Sequence, residues 1–164
     1  MRIIFLDIDG VLNSQKYFID NCWKINEFYK NTYQDTIESL KYRKMLDIDL
    51  EKLRLLKQII DCCKAKVVVI SSWKKLKVYS LIKEELIKIG IPIIGETIDN
   101  NDNRGFGIKK YLRENPNTDY IILDDDIFPD YDEGLLSHLI KTNFYENGLD
   151  EEAKNKAIKK LQMK

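Results

Sequence analysis

Short apolar runs separated by amphipathic segments constrain the fold of this chain more than any other feature. The runs lie at residues 2–7, 67–70, 91–94 and 120–123. They are rich in β-branched residues and too short for helices, and their apolar residues do not alternate with polar ones, which is typical of strands buried on both faces. Strands that alternate with helices predict a three-layer, doubly wound α/β fold around a parallel sheet.

The segments between the runs carry the periodicity of helices. Asp49 can cap a helix whose apolar positions recur at spacings of three and four, and Asp150 can cap another near the carboxyl end. Pro92 predicts that the third strand lies near a sheet edge, and residues 138–140 predict a further short edge strand. In residues 14–46, aromatic side chains alternate irregularly with charges, which predicts a mainly helical insertion.

The composition predicts one domain, with a core built from residues 1–13 and 47–164 and an insertion at 14–46. Of 164 residues, 44% are hydrophobic, and 27 acidic side chains balance 27 basic ones, so net charge does not favour a polyanionic partner. The adjacent Cys62 and Cys63 favour reduced thiols and a cytoplasmic location over a disulfide framework. No apolar run approaches the roughly 20 residues that cross a bilayer, and the first run is too short for a signal peptide, so we expect no membrane association.

Carboxylates follow two of the predicted strands. Asp7 and Asp9 close the first, and residues 124–126 close the fourth. Ionised groups are costly at the ends of buried strands unless they are paired or bind a cation. Ligands of a doubly wound sheet bind beyond the carboxyl ends of its strands, so neighbouring first and fourth strands would bring these acids together. Crowded oxygen ligands favour a hard divalent cation, most often Mg²⁺ with a substrate phosphate.

The segment Phe5–Val11, with its Asp-Ile-Asp-Gly core, resembles the first motif of the haloacid dehalogenase (HAD) superfamily. The resemblance extends to Val67–Ser71 as an apolar strand ending in serine, to Arg104 as the basic residue, and to the pair Asp124 and Asp125. These motifs occur in the family's order and cover nearly the whole chain. Four shorter segments are similar to HAD domains of bacterial RNA repair (Swiss Army Knife) proteins: 71–74, 103–105, 123–126 and 148–149.

The resemblance implies a Mg²⁺-dependent phosphohydrolase with a Rossmann-like sheet and a small helical cap after the first strand. Asp7 would attack phosphorus and carry an aspartyl phosphate, while Asp9 would act as acid and base. The metal would be held by Asp7, Asp9 and Asp125, with Asp124 as a neighbouring candidate because the register within the acidic run is open.

Two further residues would contact the transferred phosphoryl group. The resemblance assigns a hydrogen bond to Ser71 and charge stabilisation to Arg104. The family usually has lysine at the second position, so Lys109 and Lys110 are alternatives. Neighbours of the motifs are predicted to bind substrate: Ser72, Lys74 and Gly10.

A small phosphorylated molecule is the predicted substrate, and a phosphorylated polynucleotide end is the alternative. The aromatic residues of the insertion offer stacking surfaces for bases, but its charges nearly cancel. A signalling receiver, which also forms an aspartyl phosphate, needs its phosphoacceptor after the third strand, where residues 95–97 contain no aspartate. A non-catalytic phosphate-binding domain has no physical reason to keep Asp7, Asp9 and Asp125 crowded, so we expect catalysis.

Overall fold

A parallel five-stranded sheet forms the centre of the protein in a computed structural model that describes residues 1–31, 36–99 and 103–163. Within these residues the strands are β1 (Arg2–Leu6), β2 (Lys66–Val69), β3 (Ile93–Glu96), β4 (Asp119–Asp124) and β5 (Leu139–Lys141). Their order is β3-β2-β1-β4-β5. The predicted doubly wound sheet is confirmed, and so are the edge positions of the third and last strands.

The third strand begins two residues later than the apolar run predicts. It spans Ile93–Glu96 instead of 91–94. Pro92 has no amide hydrogen to donate to a ladder, although its carbonyl accepts from the Val67 amide at 3.0 Å. The regular pairing of β3 with β2 therefore starts beyond the proline.

Helices connect the strands, and their described ranges are α1 (Gln15–Asn31), α2 (Ile37–Leu46), α3 (Leu50–Cys63), α4 (Tyr79–Lys88), α5 (Arg104–Glu114), α6 (Glu133–Leu136) and α7 (Glu151–Gln162), with a 3₁₀ helix at Ser72–Lys75. The predicted caps are confirmed, because Asp49 accepts from the Glu51 amide at 2.8 Å and Asp150 from the Ala153 amide at 2.7 Å. The 3₁₀ helix and α6 were not predicted, since one turn leaves no periodicity. None of the helices in the described ranges has both the length and the apolar character needed to span a bilayer.

Two hydrophobic clusters cover the two faces of the sheet. Ile4 and Leu6 of β1 belong to the larger cluster, with buried residues of α3, α4 and α7. Ile3 and Phe5 belong to the smaller one, with buried residues of α5 and α6. Because alternate side chains of a strand point to opposite faces, β1 is buried on both sides, as its unbroken apolar run predicts.

The residue 14–46 insertion is helical over the parts described, where α1 and α2 follow one another. The Tyr17 hydroxyl donates to the carbonyls of Leu46 at 2.9 Å and Ile48 at 3.2 Å, which ties the start of α1 to the end of α2. Part of the insertion, 32–35, and most of the predicted turn at 99–103 lie outside the described residues. A capping role for the insertion stays a prediction.

The register of β1 places the acidic segments side by side. Leu6 pairs with Leu123 of β4, and the Asp7 amide donates to the Leu123 carbonyl at 2.9 Å. On the other side, Leu6 pairs with Val69 of β2. The ends of the first, second and fourth strands therefore lie together at the carboxyl edge of the sheet.

Candidate active site

Three carboxylates converge at the carboxyl edge. Asp7, Asp124 and Asp125 each offer an oxygen, and these oxygens all lie within 4.8 Å of one another. Asp7 is 5% exposed and Asp124 is fully buried. Clustered carboxylate oxygens are the donors that Mg²⁺ prefers, so this three-acid group fits the predicted metal.

Arg104, the first residue of α5, reaches into the three-acid group. Its Nη1 donates to Asp7 Oδ2 at 2.6 Å and to Asp124 Oδ2 at 2.7 Å. Its Cζ atom lies 4.1 Å from the centre of the Phe128 ring, close enough for a cation–π interaction. A buried guanidinium thus pairs with two of the acids and is supported by an aromatic face.

The alternative cation Lys109 points elsewhere. Its Nζ donates to the Asp130 carbonyl at 3.2 Å and forms an ion pair with Asp132 Oδ2 at 2.9 Å. Lys109 therefore ties α5 to the loop that follows β4. Among the described residues, Arg104 is the predicted cation seen in contact with the acids.

Burial and mutual repulsion dominate the electrostatics of the acids. Burial, followed by the charge of Asp7, raises the pKa of Asp124 to about 6, although Arg104 opposes this shift. The same two causes raise the pKa of Asp125 above its ordinary value. Burial alone would lower the pKa of Arg104, but the charges of Asp7 and Asp124 raise it overall. One guanidinium does not fully offset three carboxylates, so the site favours a further cation.

Asp124 uses its carboxylate to hold neighbouring groups. Its Oδ2 accepts from the Tyr131 hydroxyl at 3.1 Å as well as from Arg104, and its Oδ1 accepts from the Asp126 amide at 3.1 Å. Tyr131 is only 7% exposed, and burial followed by the charge of Asp124 raises its pKa. Sequence reasoning missed Tyr131, because it stands in a polar loop without periodicity.

Asp125 lies against the turn that follows β1. Gly10 has φ +70°, and a Cβ at this position would overlap the Asp125 carboxyl group. The turn is also held by the residue that follows β5, because Thr142 Oγ1 donates to the Gly10 carbonyl at 2.7 Å. Gly148, at φ +61°, brings a second loop so close that its Cβ would lie 2.7 Å from the Asn13 carbonyl oxygen. The structure shows that Gly10 must lack a side chain because Asp125 packs against it. Its predicted contact with substrate stays a prediction.

Asp9 lies outside the three-acid group and is exposed. Its Oδ1 accepts from Asn13 Nδ2 at 2.9 Å, and its Oδ2 accepts from Trp73 Nε1 at 2.8 Å. Sequence reasoning assigned no role to Asn13 or Trp73. The signal for Trp73 was its place in the 71–74 segment that resembles the RNA repair subgroup.

Ser71 lies two residues beyond the end of β2 and is fully buried. Its Oγ accepts from the Trp73 amide at 3.3 Å, as the cap of the 3₁₀ helix, whereas Ser72 is exposed. The same strand end therefore offers one buried and one exposed hydroxyl. Their contacts with substrate stay predictions.

Lys74 makes three hydrogen bonds within the protein. Its Nζ donates to the Ile70 carbonyl at 3.3 Å, to Thr97 Oγ1 at 3.0 Å, and to the Asp99 carboxylate. Burial lowers its pKa, while the hydrogen bond and charge of Asp99 oppose this shift. An ammonium group has three donors, so Lys74 uses all of them to join the ends of β2 and β3. Its predicted substrate contact stays a prediction.

The first turn of α5 is held between two loops. A Cβ at Gly107 would overlap Asp99 Oδ1, and one at Gly105 would lie 2.7 Å from the Asp130 carbonyl oxygen. The Phe106 amide donates to Asp130 Oδ2 at 2.7 Å. These close approaches place the start of α5, and with it Arg104, over the acids.

The strand order, with the acids and a buried arginine at the carboxyl edge, defines a HAD-type α/β domain. The chain belongs to the family described as "HAD domain in Swiss Army Knife RNA repair proteins", whose family model matches residues 3–153. The resemblance to this subgroup is thereby confirmed, and membership indicates a hydrolase. Neither a search of curated proteins nor a search of solved structures found a match.

Proposed function

We propose that the protein is a Mg²⁺-dependent phosphohydrolase that transfers a phosphoryl group from a phosphomonoester to Asp7 and then to water. One observation carries this proposal: the Asp7 carboxylate lies where Arg104 and the three-acid group meet. A buried acid beside a cation and a cluster of oxygen ligands is suited to attack an anionic phosphate.

Two hydrogen bonds orient the nucleophile. Asp7 Oδ1 accepts from the Ile8 amide at 2.8 Å, and Asp7 Oδ2 accepts from Arg104. A carboxylate has about four lone-pair sites, so these two hydrogen bonds leave about two of them free, and Asp7 can still offer an oxygen for in-line attack. Arg104 reduces the repulsion between this anion and the incoming phosphate and can stabilise charge on the transferred group.

The contacts of the two neighbouring acids support different roles. Asp124 Oδ2 already accepts from Arg104 and Tyr131, so we assign Asp124 mainly to anchoring the arginine. Asp125 and Asp7, with the Asp9 backbone carbonyl, would hold Mg²⁺. When bound, Mg²⁺ would offset the negative charges of the nucleophile and the phosphate.

Asp9 is suited to move protons because it is exposed and stands two residues after the nucleophile in the chain. In the proposed reaction, Asp9 protonates the leaving oxygen as Asp7 displaces it, and later takes a proton from the attacking water. Ser71, two residues after β2, would donate its hydroxyl hydrogen to a phosphoryl oxygen. Ser72 is the alternative residue for this contact with the phosphoryl group.

The insertion is proposed to act as a small cap that selects the leaving group. Lys44, in the last turn of α2, lies 4.7 Å from the centre of the Trp73 ring, so the insertion contacts the site through this residue. Small phosphorylated molecules are the first substrate class. A phosphorylated polynucleotide end is the second, favoured by the RNA repair context of the family.

Cysteines at 22, 62 and 63 are all free, which supports a cytoplasmic location.

The proposal is tested by hydrolysis of 4-nitrophenyl phosphate with and without Mg²⁺. Activity should require the metal and be lost in Asp7→Asn, whereas Asp61→Asn, at an exposed site on α3, should behave as wild type. Full activity in Asp7→Asn would reject the assigned nucleophile. A panel of nucleotides, sugar phosphates and 3′- or 5′-phosphorylated oligonucleotides would then separate the two substrate classes.

A further inference from the structure

We propose that Trp73 is a positioning residue that, together with Asn13, holds the Asp9 carboxylate in one orientation and thereby sets how well the enzyme expels poor leaving groups. This inference rests on the proposed function, in which Asp9 protonates the leaving oxygen. The side-chain hydrogen bonds of Trp73 and Asn13 lead to Asp9 and to the turn after β1, so each residue would act through Asp9.

Each oxygen of Asp9 has its own donor from a different part of the chain. Asn13 Nδ2 donates to Oδ1 from the turn after β1, and Trp73 Nε1 donates to Oδ2 from the 3₁₀ helix after β2. The terminal torsion of an aspartate is broad, so an exposed carboxylate without partners samples many orientations. Two donors on opposite oxygens restrict that rotation.

Trp73 is itself rigid. It is 3% exposed, its amide donates to Ser71 Oγ, and its carbonyl accepts from the Leu76 amide at 2.9 Å. Lys44 covers the ring face at 4.7 Å and is held by Asp47 at 2.8 Å. A buried indole N–H needs an acceptor, and Asp9 supplies it.

Asn13 is fully buried, and its amide orientation is set by a second hydrogen bond. Its Oδ1 accepts from the Gly10 amide at 2.9 Å, so its Nδ2 must be the atom that faces Asp9. Asn13 thus closes the turn that carries both Asp7 and Asp9. The orientation of Asp9 is tied to the backbone that also presents the nucleophile.

These contacts restrict where the acidic proton can reside. The indole N–H and the asparagine amide only donate at these positions, so each occupies one lone pair of an Asp9 oxygen. The proton must sit on one of the remaining lone pairs. When the bond between phosphorus and the leaving oxygen breaks, the leaving oxygen keeps the electron pair and takes this proton. A freely rotating carboxyl group would deliver it less often in the right direction.

The test compares 4-nitrophenyl phosphate, whose leaving group departs readily without protonation, with phenyl phosphate, whose leaving group needs it. Trp73→Phe keeps an aromatic ring and deletes the N–H donor. We expect kcat/KM for phenyl phosphate to fall about tenfold or more, with a much smaller loss for 4-nitrophenyl phosphate. Tyr145→Phe deletes the hydroxyl donor of an aromatic residue that is 77% exposed and lies outside the insertion, so it should leave the ratio of the two rates unchanged.

A double-mutant cycle separates positioning from general damage to the fold. In an Asp9→Asn background, Trp73→Phe should no longer change the ratio of the two rates, because the group it positions has lost its acidic proton. If Trp73→Phe does not fold, Lys44→Met, which leaves the indole in place, should shift the ratio in the same direction by a smaller factor. An unchanged ratio in that variant overturns the inference.

The two proposals fail in different ways. Absence of Mg²⁺-dependent hydrolysis in the wild type, or full activity of Asp7→Asn, removes the proposed function and this inference with it. Suppose instead that the wild type shows Mg²⁺-dependent hydrolysis and that Asp7→Asn loses it. If Trp73→Phe then slows the two substrates equally, only the inference about Trp73 is wrong. The inference about Trp73 also fails if the selective effect of Trp73→Phe persists in the Asp9→Asn background.

Discussion

Arg104 Nη1 lies 2.6 Å from Asp7 Oδ2, although 97 residues separate the two in the chain. The contact exists because α5 begins at the carboxyl edge of the sheet, where β1 also ends. It joins the proposed nucleophile to the cation that the family resemblance assigned to the transferred phosphoryl group. Substitutions at Arg104 and at the residues around it therefore test the site directly.

Replacing Arg104 by glutamine should lower both the activity and the free energy of unfolding. The change leaves Asp7 and Asp124 buried without their cation, which costs about 3–5 kcal/mol in the free energy of unfolding. The rate of phosphoryl transfer should fall by about 10³ or more. Chemical denaturation in EDTA measures the first effect, and steady-state kinetics with Mg²⁺ measures the second. Arg113→Gln, at an exposed position of α5, is the control, and wild-type stability of Arg104→Gln would contradict the proposed pairing.

Asp125→Asn should weaken metal binding more than Asp126→Asn does. Asp125 belongs to the three-acid group, whereas Asp126 is exposed and Asp124 accepts from its backbone amide. We expect the Mg²⁺ concentration for half-maximal activity to rise by more than about tenfold for Asp125→Asn and to stay near the wild-type value for Asp126→Asn. A metal titration of hydrolysis distinguishes them. A larger effect of Asp126→Asn than of Asp125→Asn would show that Asp126 is the metal ligand instead of Asp125.

Gly10→Ala should destabilise the turn and displace Asp125. The left-handed conformation alone costs a non-glycine residue about 1–2 kcal/mol, and the added Cβ would also overlap the Asp125 carboxyl group. Both stability and Mg²⁺-dependent activity should fall. Gly95→Ala in β3 is the matched control, because a Cβ there meets nothing within 4 Å, and it should leave both quantities near wild type. A fully active Gly10→Ala would show that Asp125 need not stay against this turn.

Tyr131→Phe should cost about 1 kcal/mol in stability, because Asp124 Oδ2 loses one donor while keeping Arg104. We expect a reduced kcat with little change in KM, since Tyr131 acts on the anchoring of the arginine. Thermal unfolding and steady-state kinetics report the two effects. Tyr145→Phe, at a tyrosine that is 77% exposed, should change neither, and an equally silent Tyr131→Phe would show that the hydrogen bond contributes nothing measurable.

Local patterns were enough to predict the scaffold and the ends of the strands that carry acids. Unbroken β-branched runs specify buried parallel strands, and the resemblance in the segments around Asp7, Ser71 and Asp124 indicated the family that the comparison shows. The shift of β3 by two residues and the missed short helices have a common cause. A proline or a single turn changes the backbone without changing the hydrophobic period.

Residue patterns along the chain were therefore sufficient to specify the parallel α/β sheet, the helix caps and the placement of carboxylates after the first and fourth strands. These features depend on neighbours in sequence, such as the Asp49 side chain and the Glu51 amide. Three contacts became visible in the folded protein alone: Arg104 pairs with Asp7, Trp73 hydrogen-bonds to Asp9, and Asp124 accepts from Arg104 and Tyr131. Strand order and the paths of loops bring those groups together, and a contact across 97 or 64 residues leaves no periodic signal in the sequence.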